Sequence, residues 1–235
     1  MKLKGKAGFI HMTAIEKVYL SRFVKYLLIT KKYLKHNFRH HFAMAVAILL
    51  LTTLFFGING LDAKAAAIPL ETMVALTGIV LLVPVFAPEQ EPEIRDVVEA
   101  KYTWHLGVCI LRAVVSIVAN FMLILLFVLY MKAMDCKIPA LKYGCGTFAG
   151  SLFLGALGLF AYGVSENIAV GYMLPIAYYI YNFGAGSKNL GKLFSKLYLF
   201  SMAKGSFEEK YWLLGAGMIL VVMTFIIKIF VRKSR

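Results

Sequence analysis

The chain has 235 residues, 60% of them apolar, and a formal net charge of +14 carried by few charged side chains. A mean hydropathy of +0.75 excludes an ordinary soluble domain, and the length leaves no room for a separate catalytic domain beside the apolar runs. Nor is the positive charge a nucleic-acid signal: ten of the 26 Lys and Arg precede Phe42 and four follow Ile227, where basic residues set topology and meet lipid surfaces.

Residues 1–41 form an extramembrane N-terminal segment. Lys2, Lys4 and Lys6 are not followed by an uninterrupted apolar core, so no cleavable leader is expected. The His11-Met12 pair leaves open whether residues 1–11 are native, and no function is drawn from them. Residues 15–41 pattern as an amphipathic helix. Lys17, Arg22, Lys25, Lys31, Lys32, Lys35, His36, Arg39 and His40 fall on one half of the circumference. Aromatic and aliphatic residues from Ile15 to Phe38 take the other. Two occupants suit such a helix: the headgroup region of an anionic leaflet, or a partner protein.

Six apolar stretches follow, at residues 42–61, 68–87, 106–134, 143–164, 168–187 and 211–231. A hydrocarbon core of roughly 30 Å takes about 20 helical residues to cross. In lipid only helices or closed barrels satisfy their own backbone. The expected fold is therefore an all-α membrane protein, with an N-terminal interfacial helix and one six-helix domain over residues 42–235. The short links at 62–67 and 165–167 enforce antiparallel hairpins. The positive-inside rule puts both termini in the cytoplasm of a multi-pass plasma-membrane protein. Residues 188–210, with five lysines, then lie outside, as one or two short helices resting on or dipping into the outer surface.

Between the second and third stretches, residues 88–104 form the one acidic run of this basic chain. Pro88 and Pro92 suit a first helical turn, carboxylates there match the helix dipole, and Ile94, Val97, Val98 and Tyr102 recur at helical spacing. A short cytoplasmic helix results, too charged to insert and shaped to dock in a groove on a partner. Its setting resembles the membrane subunit of ABC transporters of the ABC-2 exporter type. In particular, Phe86-Ala-Pro-Glu-Gln-Glu-Pro-Glu-Ile-Arg-Asp-Val-Val-Glu99, followed by Leu111-Arg112, is similar to small bacterial permeases of that family.

The resemblance implies a coupling helix that seats Glu89, Glu91, Glu93, Ile94, Val97, Val98 and Tyr102 in a cleft of a separate ABC ATPase. It also implies short helices between the fifth and sixth spans, where residues 188–210 lie. ATP and Mg2+ would then belong to the ATPase chain, with no cofactor here. A second permease subunit, identical or related, and the lipid bilayer complete the set of partners, with no nucleic acid. The charged signature of polysaccharide and lipid exporters in this family is not evident, and the aromatic content points to an amphipathic substrate such as a peptide. Direction would be outward, and bacterial origin is part of the same expectation. An ion-coupled carrier and a non-transporting immunity or scaffold protein are the alternatives.

No catalytic or metal site is expected. Gly186-Ser-Lys-Asn-Leu-Gly-Lys192 begins like a phosphate-binding loop, but Leu193 stands where a magnesium-binding Ser or Thr is required. His36 and His40, four apart, lie on a cationic face. Cys109, Cys136 and Cys145 lack redox or metal spacing, leaving either free thiols or a Cys136–Cys145 disulfide. Arg112, inside the third span, is the candidate hinge between coupling helix and bundle, or else a topology anchor. Glycines and Ser151 of the fourth span recur four apart, as in close helix packing. Along the fifth span, Tyr178, Tyr179 and Asn182 are candidates for the substrate pathway.

Overall fold

A computed structural model of the chain describes Leu34 and residues 38–89, 105–189 and 194–233; at 88, 89, 105, 106, 185–189, 194 and 231–233 it describes the backbone alone. The N-terminal helix expected at 15–41 lies almost wholly outside the described residues. Among those residues every regular element is helical. Five helices are long and apolar enough to cross a membrane, making this an all-helical, multi-pass membrane architecture.

Helix α1 (Arg39–Phe56) ends where Gly57 turns left-handed, with φ of 55°, and donates its N–H to the Thr53 carbonyl. Such a cap favours glycine, which has no Cβ to clash. The first span therefore stops five residues short of the expected 61. Ile58 instead packs into the following loop, only 3% exposed. That loop is tied to the one after the third span: Gly60 N–H donates to Met134 O at 3.0 Å, and Lys137 N–H to Leu61 O at 3.1 Å.

The second crossing is not one helix. It runs as α2 (Ala63–Thr72), a 3-10 turn (Val74–Leu76), α3 (Thr77–Leu82) and a second 3-10 stretch (Val83–Glu89). Pro69 sits inside α2, and Pro84 and Pro88 inside the last stretch, each removing an N–H from the ladder. In lipid such breaks persist only if neighbours meet the disturbed backbone. They do: Tyr179 Oη donates to Thr72 O (2.9 Å), and Tyr162 Oη donates to Phe86 O (3.0 Å).

The remaining long helices are α4 (His105–Ala133), α5 (Ala140–Ser165), α6 (Ile168–Asn189) and α7 (Glu208–Lys233). The α5–α6 hairpin turns at Glu166, φ 53°, whose N–H caps Tyr162 O; Asn167 Oδ1 then accepts the Ala169 N–H to start α6. Of the apolar windows, 78% of the α5 window and 72% of the second crossing are buried, against 17% for α1 and α7. The bundle is thus built around α5, with α1 and α7 the least buried of its crossings.

Helix α6 is absent from the five crossing candidates. Its 22 residues would reach across, but Tyr172, Tyr178, Tyr179, Tyr181, Asn182 and three glycines dilute its apolarity. Among the described residues five helices thus have the apolar length of a crossing, one fewer than the six expected.

Glycines set how closely α5 is approached. A Cβ on Gly78 would stand 2.6 Å from the Ser151 carbonyl carbon and 2.7 Å from its Oγ, colliding with the carbonyl oxygen first. On Gly155 it would meet Gly78 O at 2.5 Å. Ser151 and Gly155, four apart on α5, are therefore contact points for the backbone of the second crossing, while Gly146 and Gly150 make room for side chains.

Candidate functional site

Three polar centres lie along the bundle. At the α2 end, Glu71 is 2% exposed and Lys210, on the first turns of α7, 5% exposed. Lys210 Nζ lies 2.7 Å from Glu71 Oε1. The carboxylate also accepts the backbone N–H of Met202 at 2.7 Å and of Ala203 at 3.2 Å. Lys210 donates in addition to the Leu199 carbonyl. A carboxylate with three donors and an ammonium with two acceptors is a rare condition for charges removed from water. Burial of ions is tolerated only when pairing and hydrogen bonding compensate desolvation.

This centre organises the lysine-rich link. Its described part folds as two 3-10 turns, Phe194–Leu197 and Met202–Lys204, not as longer helices. Tyr198, Leu199, Ser201 and Met202 are buried, so the segment dips into the bundle end. Lysine heads stay at the rim over aromatic faces: Lys142 over Phe207 (4.1 Å), Lys204 over Tyr198 (4.5 Å), Lys196 over Trp212 (4.9 Å). Each such contact contributes about 0.5–1 kcal/mol when exposed. Burial, and secondarily the charge of Glu71, raise the Tyr198 phenol above its ordinary pKa.

In the middle, Asn120 joins the second, third and fourth crossings. Thr77 Oγ1 donates to Asn120 Oδ1 at 2.8 Å, and Asn120 Nδ2 to Ser151 Oγ at 2.9 Å; all three residues are buried. Polar bonds between membrane helices are worth about 0.6 kcal/mol on average and at most about 1.7. Asn120→Leu is accordingly expected to destabilise by about 1–2 kcal/mol, read as a melting temperature lowered by a few degrees in detergent.

At the far end, Val85, Phe86, Cys109, Ala113, Leu159 and Tyr162 form an apolar cluster. Phe225 packs edge-on against Phe86, and Lys228 Nζ stands 5.0 Å over the Phe86 ring. Met202 touches α5 at Gly146 and Phe86 touches it at Tyr162. Sixteen residues at a rise of 1.5 Å separate the two ends by ~24 Å.

The expected site residues distribute unevenly over this frame. Glu91, Glu93, Ile94, Val97, Val98 and Tyr102 lie outside the described residues, as does the side chain of Glu89. Of the glycine loop at 186–192, residues 186–189 are backbone of α6 and 190–192 lie outside the described residues. Arg112 sits on α4, half-buried, between the buried Cys109 and Ala113 of the far-end cluster.

The three pathway candidates have structural partners. Tyr178 Oη donates to Leu197 O (2.8 Å), Tyr179 Oη to Thr72 O, and Asn182 Oδ1 accepts the Leu199 N–H (3.3 Å) while its Nδ2 donates to Tyr178 O. They staple the dipping segment to α6 and the second crossing to α6. Tyr178 also lines an open apolar recess of about 360 Å3 with Leu157, Leu174, Ala177 and Tyr181. None of the three cysteines is in a disulfide; Cys109 and Cys136 are buried and Cys145 is exposed.

The sequence reading paired neither Glu71 with Lys210 nor Thr77 with Asn120. A carboxylate in an apolar run requires a cation nearby, and an asparagine mid-span requires a partner; both signals were present. Comparison with protein-family models, with curated proteins and with solved structures finds no match to this chain.

Proposed function

We propose that the chain is the transmembrane subunit of an ATP-driven exporter of the ABC-2 type, with α6 as a sixth crossing and both termini in the cytoplasm. Two such subunits pair with two ATPase chains. Residues 88–104 transmit nucleotide-driven movement to the bundle through the Phe86 end, where Arg112 is the hinge. Catalysis belongs to the partner ATPase, and the cargo is an amphipathic molecule such as a peptide.

One observation carries this reading. The described part of the link between α6 and α7 folds as two short turns pressed into one end of the bundle, while the residues that lead into the acidic segment, Val85 and Phe86, pack at the opposite end. That is the layout the family resemblance implies, with a coupling element at one pole and short elements of the last link at the other.

An ion-coupled carrier is less well supported. Among the described residues Glu71 is the one buried carboxylate, and its oxygens are already held by Lys210 and two backbone amides. A proton or cation carrier needs ionisable groups exposed in turn to each face near the midplane. The immunity or scaffold alternative separates on partner chemistry.

Replacing residues 88–104 with a Gly-Ser linker should leave membrane insertion intact while reducing the stimulated turnover of a co-purified ATPase to its basal rate. Unaffected turnover, or failure of the intact chain to bring down any ATPase, rejects the assignment. Sidedness is checked separately with Val97→Cys, which should react with a maleimide reaching it from the cytoplasm and not from outside.

A further inference from the structure

We propose that Glu71 and Lys210 form a charge latch that seals residues 198–203 into the α2 end of the bundle, so that this end opens only when α2 and α7 part. Both members of the pair hold the same stretch of backbone. Glu71 takes the N–H groups of Met202 and Ala203, and Lys210 takes the carbonyl of Leu199. Parting α2 from α7 therefore releases the segment from both sides at once.

The seat beneath the segment is made for removal as well as for closure. Met202 is wholly buried in a notch left by Gly146, where a Cβ would stand 2.5 Å from its Sδ. Next to it Ser201 is 1% exposed, and its Oγ is buried without a hydrogen-bond partner. An unsatisfied buried hydroxyl gains bonds when water arrives, so lifting the segment is favoured at that atom. The turn beyond it ends at Gly205, whose φ of 83° and open surroundings suit a pivot.

The chemistry makes the latch two-state. Neither charge can remain in the bundle alone, because an unpaired buried ion is strongly unfavourable. The pair stays closed, or both groups reach water together. This inference goes beyond the exporter reading and does not depend on it, since it requires only the fold.

The test uses the full-length chain in membranes, with Cys109, Cys136 and Cys145 replaced by alanine and Ser201→Cys as reporter. That substitution is nearly isosteric, and the hydroxyl has no bond to lose. A water-soluble maleimide is added with no ATP and no ATPase present. The reporter should react slowly with the pair intact and at least tenfold faster in E71Q/K210M, which leaves no unpaired buried charge. An unchanged rate in the double variant overturns the latch and assigns the seal to the apolar seat of Met202. Ser116→Cys, buried within the bundle, serves as the second reporter. It should stay slow in E71Q/K210M, and equal acceleration at both positions means general unfolding and also overturns the proposal.

Discussion

Gly78→Ala is expected to remove the folded protein or lower its stability by at least about 3 kcal/mol. Overpacking a well-filled interior costs about 1–3 kcal/mol when side chains can give way. Here the obstacle is the Ser151 carbonyl, part of the backbone of the most buried helix, and it cannot rotate aside. The second crossing must then move away from α5, which also separates Thr77 from Ser151 and lengthens the Asn120 bonds. Thermal melting followed by size-exclusion fluorescence reads the result, with a fall of roughly 10 °C on the scale of 2–4 °C per kcal/mol for chains of this size. Gly184→Ala and Gly215→Ala are the controls. Both lie on helices with nothing within 4 Å of the added Cβ, and alanine is favoured over glycine in a helix by about 1 kcal/mol. They should melt at or above the parent temperature. A Gly78→Ala protein that melts with the parent refutes the close contact between the two crossings.

The second large effect is expected at Lys210. Lys210→Met leaves the Glu71 carboxylate buried with two amide donors and no countercharge. Removing one member of a buried pair costs about 3–5 kcal/mol, most of it from the charge left behind. E71Q/K210M should recover more than half of that loss, because a glutamine oxygen still accepts the Met202 N–H and no ion remains. A double-mutant cycle on melting free energies should give a coupling of at least about 2 kcal/mol between the positions. Additive single effects would mean that the two groups do not share one buried site.

Much of the fold was legible because membrane insertion imposes one overriding requirement on composition. The third and fourth crossings, expected at 106–134 and 143–164, form as His105–Ala133 and Ala140–Ser165. Errors gathered where backbone geometry overrides hydropathy. Ile58 and Leu61 extended the apolar run of the first span, but Gly57 ends the helix before them. Asp62 was read as link, yet it is the extended residue from which α2 starts, five residues earlier than expected. The broken second crossing carried a partial signal in its three prolines; the hydroxyls that repair it come from residues as far away as Tyr179 and could not be assigned.

The candidate site divides the same way. Glycine spacing on α5 announced close packing, though not that Gly78 would be the counterpart of Gly155. Tyr178, Tyr179 and Asn182 were expected along a substrate pathway; their observed partners are backbone groups of neighbouring segments.

By itself the sequence determined that this chain belongs in a membrane, that its elements are helices, and roughly where they lie, because transfer into hydrocarbon is summed locally over about 20 neighbouring residues. Only the tertiary structure decided that Glu71 meets Lys210, that Asn120 bridges three crossings, and that the lysine-rich link turns inward to be held. Those contacts join residues 31 to 139 positions apart, and the energy that selects them is the desolvation of a few polar groups, which no local window can express.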